Sequence, residues 1–122
     1  MPADAVSAGL FPSSPLKEAA AVRMLVLDVD GVCTDGKLYM DGDGHALKCF
    51  HAHDGIGIRL ALGAGLDIAV ITGRDDPGVR ARMTRLGVRH YFPGFEVKMP
   101  ALRRLSRECG IDFSHMAYLG DD

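Results

Sequence analysis

The sequence is poor in cysteine and has no apolar run long enough to cross a membrane. Its three cysteines, Cys33, Cys49 and Cys109, are widely spaced, and no CxxC pair occurs. An odd number of scattered thiols fits a reducing compartment better than a disulfide framework. The apolar runs at residues 24–27 and 68–71 are far shorter than the roughly 20 residues of a membrane span.

Basic charge and a secretory signal are lacking as well. The formal net charge is −2, and Lys and Arg are scattered among acids, so the chain has no basic stripe for a nucleic-acid backbone. The N-terminus has neither the basic start nor the continuous apolar stretch of a signal peptide. We therefore expect a cytoplasmic protein that binds no nucleic acid and no membrane, with an anionic small molecule left open as its partner.

The length and composition indicate one globular domain. The chain has 122 residues, of which 48% are hydrophobic and 25% charged, enough for one core and too few for two ordinary domains. Residues 1–20, which begin with a stretch rich in Ala, Ser and Pro, are interpreted as a mobile N-terminal tail. Residues 21–122 form the predicted domain.

The hydrophobic pattern alternates between buried strands and helices. Strands are predicted at residues 24–27, 66–71, 90–92 and 116–119. Helices are predicted at residues 54–64, at 77–86 and from about 99 to 109. In the first, Ile56, Leu60 and Ala64 recur at helical spacing, and the second follows the cap residue Asp76. This alternation is typical of a doubly wound α/β fold with a mostly parallel sheet.

One segment departs from the alternation. Residues 37–40 and 45–50 are predicted to be two strands joined by the turn sequence DGDG at 41–44. The hairpin follows the first strand directly, so it is expected to project over the carboxyl edge of the sheet. It could act as a flap, as an oligomer contact, or as both.

The first strand ends in the sequence DVDGVCTDG at residues 28–36. Asp28 and Asp30 could divide the work of phosphoryl transfer, one carboxylate attacking phosphorus and the other transferring protons. Two nearby carboxylates repel each other unless a cation intervenes, and oxygen ligands point to Mg²⁺. The alternative is that the pair only forms a turn.

Three further clusters follow later strands or loops at the same expected edge of the sheet. Thr72 and Arg74 lie in the sequence ITGR, Lys98 precedes the third helix, and Asp121 and Asp122 end the sequence GDD. Thr72 and Lys98 could hold phosphoryl oxygens, and the acids could add metal ligands. Taken singly, each is more often a turn residue, a surface charge or a helix cap.

The four motifs in this order resemble those of the haloacid dehalogenase superfamily. The variant DVDGVCTDG, with the short hairpin and the sequence FHAHDGIGIR at residues 50–59, is similar to the superfamily's small phosphatases that act on phosphorylated sugar acids. The similarity covers about residues 23–122. It implies a Mg²⁺-dependent phosphatase without a cap domain, for which the chain has no room.

Carried over residue by residue, the resemblance implies distinct roles within the site. Asp28 becomes the nucleophile and Asp30 the general acid and base, and both join Asp121 in binding Mg²⁺. Thr72 and Lys98 would grip the phosphoryl oxygens, and Asp122 would support the metal site. The weaker candidates for substrate contact are Thr34, Arg74, Asp54 and Gly55.

The resemblance also implies a homotetramer whose hairpins cover neighbouring active sites. Relatives of this kind continue for some fifty residues beyond the GDD motif, so we expect that the C-terminal part of the fold is missing here. That absence would leave one sheet edge unfinished and could lower activity.

Several alternatives remain open. The substrate could be a nine-carbon sugar acid phosphate, or the chain could be an inactive oligomerisation or regulatory module. A phosphoacceptor receiver domain is disfavoured, since no Asp follows the strand at residues 90–92. A calcium loop at residues 41–45 fails because Ala52 occupies the position of the required Glu. His51 and His53, expected on one strand face, are given a surface or substrate role.

Overall fold

The computed structural model describes residues 13–121, so the predicted roles of residues 1–12 and Asp122 lie outside it. The helices and strands in chain order are α1 (Ser13–Ala20), β1 (Met24–Leu27), β2 (Tyr39–Met40), β3 (Ala46–Leu47), α2 (Ala52–Gly63), β4 (Asp67–Ile71), α3 (Pro77–Leu86), β5 (His90–Phe92), α4 (Lys98–Cys109) and β6 (Met116–Leu119). Helix α1 lies where the sequence predicted only a tail.

The main sheet has four parallel strands in the order β5-β4-β1-β6. Side chains of β1 and β4 alternate between its two faces, as the period of a strand requires. Leu27 and Val70 join a core cluster with residues of α2 and α3, whereas Val26 and Ile71 join a second cluster with α4. Helices therefore cover both faces, which confirms the doubly wound α/β fold.

Helix α3 begins and ends as the sequence predicted. The Asp76 side chain accepts hydrogen bonds from the backbone N–H groups of Gly78 and Val79, and Pro77 occupies the first turn. Gly87 ends the helix in the left-handed conformation at φ 88°. These signals were sufficient to predict both ends of the helix because each depends on contacts within one helical turn.

The predicted inner face of α2 is wrong. Ile56 and Leu60 are 57% and 69% exposed, whereas Ile58 and Gly55 are buried. The helix is apolar on more than one side, so spacing alone did not identify the side that faces the sheet. It also begins two residues early, because the His51 side chain caps it by accepting from the His53 backbone N–H.

The predicted hairpin is confirmed, with shorter strands. Strands β2 and β3 pair antiparallel, and the Asp41 N–H donates to the His45 carbonyl at 3.0 Å. An antiparallel bridge between Thr34 and Phe50 fixes the base of the hairpin to the loop after β1. None of the helices within residues 13–121 is long and apolar enough to cross a membrane.

Candidate active site

The segments after β1 and β6 lie side by side at the carboxyl edge of the sheet. Strand β1 pairs with β6 as far as Leu27 and Leu119, and the Asp28 N–H extends the ladder by donating to the Leu119 carbonyl at 3.0 Å. Asp28 is therefore held at the end of a central strand. Asp121, two residues beyond β6, reaches the same edge.

The Asp28 carboxylate is enclosed by donors and by one cation. The residue is only 7% exposed, and Oδ1 accepts a hydrogen bond from the Val29 N–H at 2.7 Å. Lys98 Nζ lies 3.5 Å from the same oxygen and donates to the Ile71 carbonyl at 3.4 Å. Lys98 thus bridges the ends of β1 and β4 from the first turn of α4, and the structure brings this predicted site residue next to Asp28.

Thr72 is fixed immediately after β4. It is 2% exposed, its N–H donates to the Phe92 carbonyl, and its carbonyl accepts from the Phe95 N–H, both at 3.0 Å. The backbone on both sides of the residue is therefore tied to β5 and to the loop after it. This places Thr72 beside Ile71, whose carbonyl binds Lys98, at the edge predicted from the sequence.

Asp121 packs against the turn that follows Asp28. Gly31 has φ 78°, and a Cβ atom there would collide with Oδ2 of Asp121 and come within 2.9 Å of its Cγ. The turn can therefore accept the carboxylate only because Gly31 lacks a side chain. The Asp121 carboxylate thus reaches the loop that begins at Asp28, and carboxylate oxygens are the hard donors that Mg²⁺ prefers, so these residue types fit that ion.

Sequence analysis missed Lys48, which pairs with Asp30. Lys48 Nζ lies 3.0 Å from Oδ1 of Asp30 and donates to Oδ2 at 3.2 Å. Although Oδ1 is within ion-pair distance, it is buried and accepts no hydrogen bond of good geometry. The alternation of apolar and polar residues would turn Leu47 inward and Lys48 toward solvent, whereas Leu47 is 64% exposed, so the sequence contains no signal for this contact.

Comparison with known proteins shows which proteins the chain is similar to. No family model matches the chain. Two curated 3-deoxy-D-manno-octulosonate 8-phosphate (KDO 8-phosphate) phosphatases are similar to it. The Haemophilus influenzae protein is 41% identical over 101 residues, which are 83% of this chain and 56% of the relative. The Salmonella typhimurium protein is 42% identical over 113 residues, which are 91% and 60%.

Solved structures give the same result. A Legionella pneumophila protein assigned to subfamily III A of the haloacid dehalogenase superfamily superposes with a TM-score of 0.89 at 37% identity, covering 96% of this chain and 64% of that one. The KDO 8-phosphate phosphatase of Moraxella catarrhalis, solved with magnesium, phosphate and KDO, gives 0.87 at 34%, covering 92% and 64%.

The chain belongs to the haloacid dehalogenase superfamily. It spans about 60% of the length of the curated relatives that it matches. The observed geometry agrees with this membership: an acid pair follows β1, a buried Thr follows β4, a Lys begins α4 and an acid follows β6, in the order of the superfamily's four motifs.

In this haloacid dehalogenase-like chain, two of the predicted substrate contacts have a visible structural role. The Thr34 hydroxyl is buried and accepts hydrogen bonds from the N–H groups of Gly31 and Gly36, at 3.3 and 3.1 Å, so it shapes the turn. Gly55 is buried in α2, where a Cβ atom would collide with the Arg82 guanidinium. Both residues therefore have a structural role beside the site.

The other two predicted contacts remain at the surface. Arg74 is exposed, and no recorded hydrogen bond or ion pair within residues 13–121 joins it to the site. Asp54 is exposed and lines a cleft of 480 Å³ together with Thr34, His51 and His53. His51 and His53 stand at the start of α2, so the prediction of one strand face is wrong.

Cys33 lies between the acids and the cleft. Its Sγ donates to the Asp28 carbonyl at 3.3 Å. Burial raises the pKa of this thiol to about 11, and the nearby carboxylates of Asp54 and Asp28 contribute in the same direction. The side chain is therefore a neutral thiol at physiological pH and is unsuited to act as a second nucleophile.

A separate group of possible metal ligands lies at the tip of the hairpin. Asp41, Asp43 and His45 offer ligand atoms within 4.8 Å of one another, but all three are exposed. Hydrogen bonds of the turn, chiefly that from the His45 backbone N–H, lower the pKa of Asp41. The turn itself accounts for this cluster.

Proposed function

We propose that the protein is a Mg²⁺-dependent phosphatase that hydrolyses a phosphorylated sugar acid, most specifically KDO 8-phosphate. The observation that carries this proposal is the convergence of Asp28, Lys98 and Asp121 on one edge of the sheet. The curated relatives named as KDO 8-phosphate phosphatases supply the substrate. A nine-carbon sugar acid phosphate remains the nearest alternative.

Asp28 is the nucleophile of the proposed reaction. Its carboxylate oxygen forms a bond to phosphorus while the bond from phosphorus to the sugar oxygen breaks, which leaves an aspartyl-phosphate and a sugar alkoxide. Asp30, which begins as the carboxylic acid, donates the proton that converts the alkoxide to an alcohol. As a carboxylate it then takes a proton from water, whose oxygen bonds to phosphorus while the bond from phosphorus to Asp28 breaks. Inorganic phosphate is released, and Asp28 is again a carboxylate and Asp30 a carboxylic acid.

The groups around Asp28 stabilise the negative charge of the phosphoryl group. The Lys98 ammonium, 3.5 Å from Oδ1, faces the position where negative charge develops, and the Thr72 hydroxyl is available as a donor. Asp28, the Asp30 backbone carbonyl and Asp121 would hold Mg²⁺, with Asp122 assigned a supporting role. When bound, the ion neutralises phosphoryl oxygens and relieves repulsion between the acids.

The proposal includes assembly into a homotetramer through the hairpin at residues 37–50. Large apolar side chains are exposed on the hairpin and on helix α2, which follows it in the chain: Leu38, Tyr39, Met40, Leu47, Ile56 and Leu60, each at least 53% exposed. Exposed apolar side chains of this number support an interface with other copies of the chain. A cytoplasmic location is retained because all three cysteines are free thiols.

Phosphate release from a panel of sugar acid phosphates tests the proposal. We expect the highest kcat/KM for KDO 8-phosphate, with activity lost on chelation and restored by Mg²⁺. Asp28→Asn should lower kcat by at least roughly 10³-fold because it removes the nucleophile. Asp112→Asn is the matched control, since this exposed carboxylate precedes β6 at the opposite edge of the sheet.

Each alternative gives a different result. Preference for a nine-carbon sugar acid phosphate would change the substrate and keep the mechanism. Absence of phosphate release from every substrate, with Mg²⁺ present and the protein folded, would favour the inactive oligomerisation or regulatory module.

A further inference from the structure

The ion pair between Lys48 and Asp30 joins the hairpin to the catalytic loop. The Lys48 side chain is only 7% exposed, whereas the Asp30 side chain is 51% exposed. Burying an ammonium group is costly unless it is paired and hydrogen-bonded. Within residues 13–121 the Asp30 carboxylate pairs with the Lys48 ammonium, so the two side chains hold each other in place.

The backbone on both sides of Lys48 is fixed. Leu47 pairs with Tyr39 in the hairpin, and Phe50 forms the bridge to Thr34 in the loop after β1. Lys48 lies between these two attachments, so its ammonium group has a defined position relative to Asp30. A half-exposed carboxylate without such a partner would sample several rotamers.

We infer that Lys48 is a positioning residue that fixes the place of the Asp30 carboxyl group, so that its protonated form is aligned to donate to the leaving group. The inference rests on the proposed function, because it gives Lys48 a role through the general acid of that reaction. Misplacing a reacting group by about 1 Å can cost roughly 10²-fold in rate. Loss of Lys48 should therefore affect the step in which Asp30 donates a proton, without contact between Lys48 and the sugar.

Two substrates of nearly the same shape isolate that step. Phenyl phosphate releases phenoxide, the more basic anion, whose departure gains more from protonation, whereas 4-nitrophenyl phosphate releases a weakly basic anion that needs little help. Lys48→Met should lower kcat/KM for phenyl phosphate by roughly tenfold or more and that for 4-nitrophenyl phosphate by less than about threefold. Asp30→Asn should show the same selective loss.

Lys48→Arg keeps the charge, so it should recover part of the lost activity toward phenyl phosphate. If Lys48→Met fails to fold, Lys48→Arg alone tests whether Lys48 positions Asp30. Because its guanidinium is displaced from the position of the ammonium, a smaller loss with the same dependence on the leaving group is expected. Lys17→Met, at an exposed lysine of α1, is the matched control and should equal wild type.

The outcomes separate this inference from the proposed function. Equal losses on both substrates, or no loss on either, with wild-type activity present, would overturn the role of Lys48 and leave the phosphatase proposal standing. A wild-type protein that releases no phosphate from any substrate would overturn the proposed function, and the inference with it.

Discussion

Gly31→Ala tests whether Asp121 has to pack against the turn after Asp28. The substitution has two separable effects. Gly31 has φ 78°, and an alanine in this left-handed region costs about 1–2 kcal/mol. In addition, the new Cβ atom would collide with the carboxylate of Asp121 and force it away from the loop.

The matched control carries only the first effect. Gly65 also has positive φ, at 93°, but a Cβ atom there would meet nothing within 4 Å. It precedes β4, at the opposite edge of the sheet from Asp28. Gly65→Ala and Gly31→Ala should therefore both lower the melting temperature, by about 4–8 °C for a loss of 1–2 kcal/mol.

Magnesium distinguishes the two variants. An ion that binds only the native state at 100 times its Kd stabilises that state by about 2.7 kcal/mol. Thermal unfolding with and without Mg²⁺ should show this gain for wild type and for Gly65→Ala, and a much smaller gain for Gly31→Ala. If both variants gain as much as wild type, Asp121 does not need its place against Gly31 to bind the ion, and the reasoning fails.

Two further predictions concern the thiols and the hairpin. At pH 8, a thiol reagent should modify the exposed Cys49 quickly and Cys33 only after unfolding. The reason is that burial raises the pKa of the Cys33 thiol to about 11. Fast modification of Cys33 in the folded protein would contradict its buried position. Leu47→Glu, at a side chain that is 64% exposed, should shift the proposed tetramer to smaller species in sedimentation, whereas Met99→Glu on α4 should not. A wild-type monomer at micromolar concentration would contradict the oligomer proposal.

The elements that the sequence predicted well are those specified over short distances. The cap at Asp76 and the left-handed residue Gly87 mark the ends of α3 through contacts within one turn. Strand β6 was predicted at its observed bounds because a short apolar run between polar clusters has few other interpretations. The convergence of Asp28 and Lys98 followed from parallel topology, which brings strand ends to one edge.

The elements that the sequence did not predict depend on partners far along the chain. Lys48 and Asp30 are 18 positions apart, and their contact requires the hairpin to fold back over the loop. The buried face of α2 was mistaken because both Ile56 and Ile58 are apolar, and only packing against the sheet decides between them. A hydrophobic pattern indicates that a helix face is buried, but it does not identify the residues that pack against that face.

The charges assembled at the carboxyl edge explain why these residues suit a cation and a phosphate together. With Asp30 ionised, the three acids Asp28, Asp30 and Asp121 and the two lysines Lys48 and Lys98 have a net charge of −1, which becomes 0 when Asp30 carries the proton that it donates. Neither balance attracts a phosphate dianion, whereas bound Mg²⁺ would raise it to +1 or +2 and attract the dianion. The two lysines alone are therefore insufficient for phosphate binding, and we expect phosphate affinity to depend on Mg²⁺.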